Sequence, residues 1–296
     1  MLDGADAFAI PTRYGQKMEV KNYRGSDLIW ESLDNNGQSW FSTTISLYDF
    51  SALKTTDETK SKLLQEILKN AVRLNPEFLD KWKGFRVTTK LEFPNNWGLG
   101  SSSTLIYLIA QWADVHPLEL YFKTFEGSGY DVACAGSDTP IVYWNDVEEI
   151  GYNPITFNPS FKESIYFLHL GQKQDTQMAI REYLKSGKSR KQLAKKISEI
   201  TYKAIECKSF KEFCSLMDFH EDLVSSAVGK TRIQKAHFSD FWGTIKSLGA
   251  WGGDFVMVLS DKDEITTRSY FESRGFETLI GFEEMIFSPQ TVAVEK

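Results

Sequence analysis

Hydrophobic and polar residues alternate along residues 85–93, "FRVTTKLEF". One side of the alternation carries Phe85, Val87, Thr89, Leu91 and Phe93, and the other carries charged and polar residues. A period of two predicts a strand with one buried face. From residue 102 onward, apolar residues recur at every third or fourth position, which predicts an amphipathic helix. The glycine- and serine-rich residues in between are therefore predicted to form a turn and the start of that helix.

Similar patterns predict elements along the rest of the chain. In the N-terminal part, strands are predicted at 7–10, 16–23, 28–32, 39–44 and 140–144, and helices at 59–74 and 117–125. The sequence Asn35-Asn36-Gly37 predicts a hairpin turn between the third and fourth of these strands. In the C-terminal part, strands are predicted at 165–170, 255–260 and 277–282, and helices at 175–186, 189–206, 208–226, 231–247 and 262–274.

The length of the chain, 296 residues, is more than one hydrophobic core usually supports. Asparagine, proline and serine are concentrated at residues 150–162, which is typical of a boundary. The sequence therefore predicts two domains, residues 1–155 and residues 156–296.

The composition excludes several classes of protein. A net charge of −6 argues against a nucleic-acid partner, because binding to a phosphate backbone requires a basic face. The three cysteines are scattered and form neither a disulfide framework nor a zinc-binding pattern, so a reducing cytoplasm is expected. No apolar run is long enough to span a bilayer, and no signal peptide is recognised. The four isolated histidines are expected to be structural.

The turn at residues 94–104, "PNNWGLGSSST", has the chemistry of a phosphate-binding loop. A helix N-terminus offers unpaired N–H groups and a partial positive charge, and glycines before it allow a phosphate to approach. No Gly-Lys-Ser/Thr ends the turn, so it is not a P-loop, and it lacks the third glycine of the dinucleotide fingerprint. The alternative is a serine that caps the helix after a flexible turn.

Two further glycine-rich segments are candidates for a functional site. In "GSGYDVA", Asp131 follows a glycine-rich bend and could act as a general base or a metal ligand, or could equally cap a helix. In "GAWGGDF", Gly249, Ala250, Gly252 and Gly253 precede an apolar run. The alternative for this segment is a helix C-cap followed by a turn.

Together the three segments resemble motifs of the GHMP kinases, the family that includes galactokinase, homoserine kinase, mevalonate kinase and phosphomevalonate kinase. "PNNWGLGSSST" is similar to the second motif of that family, and "GAWGGDF" to its third. "GSGYDVACAG" resembles the stretch that holds the catalytic aspartate in mevalonate and phosphomevalonate kinases. It is most similar to a bacterial subgroup with the sequence Gly-Tyr-Asp-Ile-Ala, with Val132 in place of isoleucine.

The resemblance implies a fold, cofactors and roles for the matched residues. It implies an α+β fold of two domains, an N-terminal β-rich ATP-binding domain and a C-terminal ferredoxin-like α/β sandwich. ATP phosphates would be bound by Gly98, Leu99, Gly100, Ser101, Ser102 and Ser103, with Ser102 also contacting Mg²⁺. Asp131 would face the acceptor, and residues 249–253 would support the phosphate loop.

The chain departs from the family pattern at three places. Trp251 replaces a small residue, which would narrow the pocket or fill a hydrophobic gap. The second Mg²⁺ contact of mevalonate kinases has two candidates here, Glu126 and Glu119. "LDGADAFAIP", at residues 2–11, matches only the second half of the first motif, so the strand and lysine that open this motif are not matched.

The resemblance implies ATP-dependent phosphoryl transfer to mevalonate, a step of isoprenoid precursor synthesis. The enzyme is expected to be cytoplasmic and could form a homodimer. Neither a nucleic-acid nor a membrane partner is expected. Phosphomevalonate is the alternative acceptor. A sugar acceptor is less favoured, and Asp131 argues against a homoserine kinase, whose members lack the aspartate. A catalytically silent nucleotide- or metabolite-binding protein on the same fold is the alternative from another functional class.

Overall fold

The computed structural model describes residues 1–79, 83–146, 149–171, 183, 190–249, 251 and 254–288. These residues divide into two compact units. One contains Tyr14–Asn95 and Leu99–Gly136, and the other contains Met1–Arg13, Asn96–Gly98 and the described part of Ser137–Lys296. This division differs from the predicted boundary at residues 155 and 156, because the first strand and the strands after residue 140 group with the second half of the chain.

The unit that contains Tyr14–Asn95 is built on a five-stranded sheet with the order β2-β6-β3-β4-β5. Its strands are β2 (Gln16–Tyr23), β3 (Asp27–Leu33), β4 (Ser39–Ser46), β5 (Ala52–Thr55) and β6 (Gly84–Leu91). Its helices are α1 (Glu58–Leu74), α2 (Ser101–Ala113), α3 (Pro117–Thr124) and α4 (Tyr130–Ala135). The strands and helices predicted in this unit are confirmed.

The alternation of the sequence sets the position of β6 within this sheet. Val87, Thr89 and Leu91 are fully buried, whereas Arg86 and Lys90 are exposed. The strand lies between β2 and β3, antiparallel to the first and parallel to the second. The hairpin of β3 and β4 forms as predicted, and Gly37 adopts a left-handed φ of 80° in its turn. The sheet therefore holds β6, from whose end the glycine-rich turn departs, between two neighbouring strands.

The other unit contains two sheets. A three-stranded sheet has the order β1 (Ala7–Ala9), β7 (Ile141–Asn145), β8 (Ile150–Pro154). An antiparallel four-stranded sheet is formed by β9 (Ile165–His169), β10 (Thr244–Ser247), β11 (Phe255–Leu259) and β12 (Leu279–Gly281), in the order β10-β11-β9-β12. The described helices are α5 (Lys191–Glu206), α6 (Phe210–Val228), α7 (Ile233–His237), α8 (Glu264–Glu272) and α9 (Phe282–Met285).

The four-stranded sheet has a ferredoxin-like arrangement. Counted along the chain from β9, its strands lie in the order 2-3-1-4, with helices between the first and second strands and between the third and fourth. A buried cluster combines residues of these four strands with three phenylalanines from the helices and loops that cover the sheet: Tyr166, Leu168, Phe238, Phe241, Ile245, Val256, Val258, Phe271 and Leu279. The predicted ferredoxin-like sandwich is confirmed. No described helix has the length and apolar character needed to cross a membrane.

Several predicted elements of this part need correction. The predicted helix at 231–247 is wrong, because only Ile233–His237 is helical and Thr244–Ser247 forms β10. Its apolar residues sit at helical spacing, but Gly243 lies against the Leu259 carbonyl, where a side chain has no room. The predicted strand at 277–282 is shorter, because Phe282 begins α9. The predicted helix at 175–186 lies almost entirely outside the described residues.

Candidate functional site

The glycine-rich turn joins β6 to α2. Gly98 and Gly100 have φ angles of 64° and 77°, which are in the left-handed region that favours glycine. Gly100 is the N-cap of α2, and no side chain caps this helix. The Ser103 and Thr104 N–H groups donate to the Gly100 carbonyl at 2.9 and 3.0 Å. The alternative of a serine cap is therefore wrong, because the residue at the cap position has no side chain.

The start of α2 fits an anion. Its first turn contains no acidic residue, and Ser102 in that turn is exposed. The hydroxyl of Thr104 donates to Gln16 Oε1 at 2.8 Å, which ties the start of the helix to β2. A helix N-terminus with no acidic residue in its own first turn and no side-chain cap can present its N–H groups and partial positive charge to an external anion. These residues are suited to binding phosphate groups.

The first half of the turn, Asn96–Gly98, packs on the four-stranded sheet. The His169 Nε2–H group donates to the Asn96 carbonyl at 3.1 Å. The Trp97 ring meets the Phe255 ring edge to face, with centroids 5.5 Å apart. His169 and Phe255 are cross-strand partners in β9 and β11. Two adjacent strands thus fix the chain immediately before the candidate phosphate-binding residues.

Asp131 lies in the first turn of α4, and its side chain does not cap that helix. The N-cap is Gly129, with a φ of 81° and no side-chain hydrogen bond. The alternative of a helix-capping aspartate is therefore wrong. Burial raises the pKa of Asp131 to about 6, and a hydrogen bond from the Tyr130 side chain lowers it by a smaller amount. A carboxylate with a pKa near 6 is suited to accept a proton at neutral pH.

The groups around Asp131 are held in their protonated forms. The Asp131 charge, together with burial, raises the pKa of the Tyr130 hydroxyl well above its usual value. Burial and then the Asp131 charge raise the pKa of Cys134 to about 12, so this thiol is not a nucleophile. Asp131 is thus the group of this cluster that changes its protonation near neutral pH.

Helix α4 packs against α2 within the same unit. At the end of α4, Gly136 lies so close to Tyr107 that an added Cβ would be 2.3 Å from the ring. Helix α3 joins this packing, and the Tyr121 hydroxyl donates to the Glu126 carbonyl at 3.1 Å. The helix that carries Asp131 and the helix that begins with three serines therefore share one rigid packing arrangement.

The third glycine-rich segment connects β10 to β11, so it follows a strand. The alternative of a helix C-cap is therefore wrong. Gly249 has a φ of 57°, and Trp251, whose side chain is buried, has a φ of 58°. Ala250, Gly252 and Gly253 lie outside the described residues. Asp254, which follows them, also has a positive φ, of 50°.

A metal ion would have few protein ligands here. Among the described residues, no group of three or more His, Cys, Asp or Glu side chains could hold a metal ion. Glu126 is exposed, and Glu119 lies in the first turn of α3. Mg²⁺ commonly binds through one or two protein oxygens together with the phosphates of a substrate. The described residues fit a Mg²⁺ that arrives with a nucleotide.

Three residues of this region were not predicted from the sequence as functional candidates. His169 and Asp254 contact the phosphate-loop segment, and Glu221 binds the Trp251 side chain. Glu221 had a detectable signal, because it follows Phe213 and Met217 at helical spacing on the buried face of α6. Asp254 directly follows the glycines of the third segment. His169 stood out only as the last residue of an apolar strand.

The sequence matches no protein-family profile and no curated protein. Its structure is similar to solved structures of small-molecule kinases. One is galactokinase from Lactococcus lactis complexed with galactose, with a TM-score of 0.66 and 14% identity over 97% of this chain and 89% of that one. Another is phosphomevalonate kinase from Streptococcus pneumoniae in complex with phosphomevalonate and AMPPNP. It has a TM-score of 0.64 and 12% identity over 93% of this chain and 99% of that chain.

A third is mevalonate kinase from L. major in complex with R-mevalonate, with a TM-score of 0.63 and 13% identity over 97% of this chain and 91% of that chain. The predicted GHMP kinase fold is confirmed by this likeness, which extends over nearly the whole chain. At 12–16% identity the fold is shared across acceptors as different as galactose and phosphomevalonate. The likeness therefore does not distinguish between acceptors.

Proposed function

We propose that this protein is an ATP- and Mg²⁺-dependent small-molecule kinase that transfers a phosphoryl group to mevalonate. The observation that carries the proposal is the packing of α2 on α4. It joins a helix N-terminus with no side-chain cap and no acidic residue in its own first turn to a half-buried aspartate with a pKa of about 6. The first feature suits the phosphates of ATP, and the second suits the hydroxyl of an acceptor.

Phosphoryl transfer requires mainly positioning and neutralisation of charge. In the proposed site, residues 98–103 bind the phosphates, mainly through backbone N–H groups that precede Ser103, because the Ser103 N–H donates to the Gly100 carbonyl. The Ser102 hydroxyl contributes a ligand to Mg²⁺. Mg²⁺ supplies charge neutralisation when it is bound. Asp131 accepts the proton of the acceptor hydroxyl, and the described part of residues 249–253 supports the phosphate loop.

The choice of mevalonate follows from the resemblance of "GSGYDVACAG" to the aspartate motif of mevalonate and phosphomevalonate kinases, and to the Gly-Tyr-Asp-Ile-Ala subgroup. Phosphomevalonate is the second candidate, since the same segment resembles that branch equally and a phosphomevalonate kinase shares the fold. The same proposal assigns ATP binding to residues 1–155 and the C-terminal domain to residues 156–296. The cytoplasmic location and the homodimer stay predictions.

The test is a coupled assay of ADP formation with mevalonate, phosphomevalonate, galactose and homoserine offered separately. The proposal expects acceptor-dependent ADP formation that requires Mg²⁺ and is fastest with mevalonate. Fastest turnover of phosphomevalonate would establish the second candidate. Binding of an ATP analogue without turnover of any acceptor would favour the silent nucleotide-binding protein.

A further inference from the structure

A buried carboxylate lies beneath the third glycine-rich segment. Glu221, in α6, is fully buried. Its two carboxylate oxygens accept hydrogen bonds from two residues at or after the end of β10, Ser247 and Trp251. The Trp251 indole N–H donates to Oε1 at 3.0 Å, and the Ser247 hydroxyl donates to Oε2 at 3.2 Å. Ser247 ends β10, and Trp251 lies within the connection to β11. One carboxylate therefore binds both the last residue of β10 and Trp251 in the connection that follows it.

The charge of Glu221 is balanced locally. Burial raises its pKa, while the nearby Lys246 ammonium and the hydrogen bonds from Trp251 and Ser247 lower it by smaller amounts. Lys246 Nζ itself donates to the Ser247 carbonyl at 2.9 Å, and burial lowers the pKa of this lysine. On the same helix, burial lowers the pKa of His220 to about 2, so its ring is neutral. Burial of an ionised carboxylate costs free energy unless hydrogen bonds satisfy its oxygens. Loss of either Trp251 or Ser247 as a donor should therefore destabilise this site.

The Trp251 backbone is held in a conformation that this residue does not favour. Its φ of 58° is in the left-handed region, which is strained for any residue with a bulky side chain. Such strain persists only where the surroundings fix the residue. The ring is buried, and the hydrogen bond to Glu221 fixes its direction. Of the two expectations for Trp251, a narrowed pocket or a filled hydrophobic gap, the burial of its ring agrees with the second. The hydrogen bond to Glu221, which anchors the side chain, was not predicted from the sequence.

The anchored segment leads directly to the phosphate loop. Asp254 is three residues after Trp251, and its carboxylate lies where a side chain of Gly98 would be: an added Cβ would be 2.1 Å from Asp254 Cγ. The Asp254 carbonyl accepts a hydrogen bond from the Leu170 N–H at 2.8 Å, which ties it to the end of β9. A displacement of Asp254 therefore changes the contact that limits the conformation of Gly98.

We propose that Glu221 is a positioning residue for nucleotide binding, which acts through Trp251 and Asp254 on Gly98 of the candidate phosphate loop. The proposal rests on the proposed kinase function, although the anchor itself can be tested without any nucleotide. It predicts that the loss of the Glu221–Trp251 hydrogen bond loosens residues 248–254 and weakens the binding of ATP.

The anchor is tested by amide hydrogen exchange of the peptide that covers residues 248–254. We expect exchange about tenfold faster in Trp251→Phe and in Glu221→Leu, because a hydrogen bond to a charged group is lost. The matched control is Trp242→Phe, which removes another indole hydrogen bond of 3.0 Å, to Ser260, within the same unit. Unchanged exchange in folded Trp251→Phe and Glu221→Leu would overturn the anchor.

The positioning role is tested with the same variants by calorimetry with AMPPNP and Mg²⁺, and by the KM values for ATP and acceptor. We expect Trp251→Phe, Glu221→Leu and the double variant each to raise the Kd and the KM for ATP about tenfold, without a further effect in the double variant. The double variant removes both partners, so it leaves no buried carboxylate unpaired. Glu221→Gln keeps an acceptor for the indole and should stay within about threefold of the wild type.

Three results separate the possible failures. Faster exchange with unchanged affinity for AMPPNP would overturn the positioning role and retain the anchor. Equal increases in the KM values of ATP and acceptor, or additive effects in the double variant, would indicate a general loosening of the fold. Either result would also overturn the positioning role. No binding of AMPPNP by the wild type would overturn the proposed function and with it the positioning role, while hydrogen exchange still decides on the anchor.

Discussion

The carboxylate of Asp254 fills the space that a side chain at Gly98 would occupy. Both residues have left-handed backbone conformations, with φ angles of 64° at Gly98 and 50° at Asp254. An added Cβ on Gly98 would lie between 2.1 and 2.5 Å from three atoms of the carboxyl group. Gly98 is therefore required for two separate reasons, its backbone conformation and the close approach of Asp254.

This relationship predicts different costs for substitutions at the two glycines of the turn. Gly98→Ala should lower the free energy of unfolding by about 3 kcal/mol, because left-handed strain is added to a steric clash. Gly100→Ala should cost about 1 kcal/mol, since the nearest atom, Ser103 Cβ, is 4.0 Å from the added Cβ. Urea unfolding measures both values.

The control is Gly37→Ala, at a φ of 80° with no atom within 4 Å of the added Cβ, which reports left-handed strain alone. Asp254→Gly should relieve part of the loss caused by Gly98→Ala. Equal costs for Gly98→Ala and Gly37→Ala would contradict the close approach.

Both Gly98→Val and Gly100→Val should abolish binding of AMPPNP in calorimetry. Unchanged affinity in a folded variant would argue against the phosphate-loop assignment.

Ser102→Ala should affect magnesium dependence and leave stability unchanged. Ser102 is exposed and Gly100 is the cap, so the free energy of unfolding should stay within about 0.5 kcal/mol of the wild type. If the Ser102 hydroxyl is a ligand of Mg²⁺, the concentration of Mg²⁺ that gives half-maximal turnover should rise. The assay is ADP formation over a titration of Mg²⁺.

Ser209→Ala is the matched control for Ser102→Ala. Ser209 is a true N-cap, whose side chain accepts a hydrogen bond from the Glu212 N–H. Its replacement should cost about 1 kcal/mol of stability without a change in magnesium dependence. A Ser102→Ala variant that behaves like Ser209→Ala would remove Ser102 from the metal site.

Asp131→Asn should stabilise the protein at neutral pH. Because burial raises the pKa of Asp131 from 3.8 to about 6, the ionised carboxylate destabilises the folded state as the pH rises through this interval. The free energy of unfolding that the ionised carboxylate removes approaches about 3 kcal/mol at about pH 7.5. At about pH 4 this loss is below about 1 kcal/mol. Urea unfolding of wild type and variant at both values should show this difference.

Asp263→Asn is the control, because ionisation of Asp263 should stabilise the folded state, whereas ionisation of Asp131 should destabilise it. Hydrogen bonds from the Thr266 backbone and side chain lower the pKa of Asp263, so its ionised form favours the folded state. This substitution should not raise stability at either pH. A loss of stability in Asp131→Asn at neutral pH would indicate that the carboxylate has a structural role.

The sequence was sufficient to predict most of the fold because the buried faces follow simple periods. β6 alternates cleanly, and α1 carries buried Leu64, Leu68 and Ala71 at helical spacing. The predictions were wrong where local spacing and tertiary contacts disagree. Phe238, Phe241 and Ile245 sit at helical spacing, yet only Ile245 lies in a regular element, β10, where Gly243 allows close contact with β11.

The candidate site was predictable where its residues form a contiguous motif. The turn at Gly98–Ser103 and the bend before Asp131 were both identified as candidates from glycine spacing. The hydrogen bonds from His169 to Asn96 and from Trp251 to Glu221 join residues far apart in the chain. Their pairing depends on the register of β9 and β11 and on the position of α6, which no local pattern specifies. The short helix α4 was missed because its small residues have no apolar periodicity.

The pH dependence of turnover should report the pKa of Asp131. If Asp131 accepts the proton of the acceptor, kcat/KM should fall about tenfold for each pH unit below about pH 6, because the protonated carboxyl cannot act as a base. The profile of the wild type is measured by initial rates of ADP formation under saturating ATP. A profile that stays flat between about pH 5 and pH 8 would contradict this role.

The most direct test of the account is the comparison of kcat between wild type and Asp131→Asn, with AMPPNP affinity measured in parallel. Asparagine keeps the shape of the side chain but accepts no proton at neutral pH. We expect acceptor-dependent ADP formation by the wild type, a fall in kcat of about 10²- to 10⁴-fold in the variant, and unchanged affinity for AMPPNP. A wild type that turns over an acceptor and a variant that loses less than about threefold would contradict the assignment of Asp131 as the base.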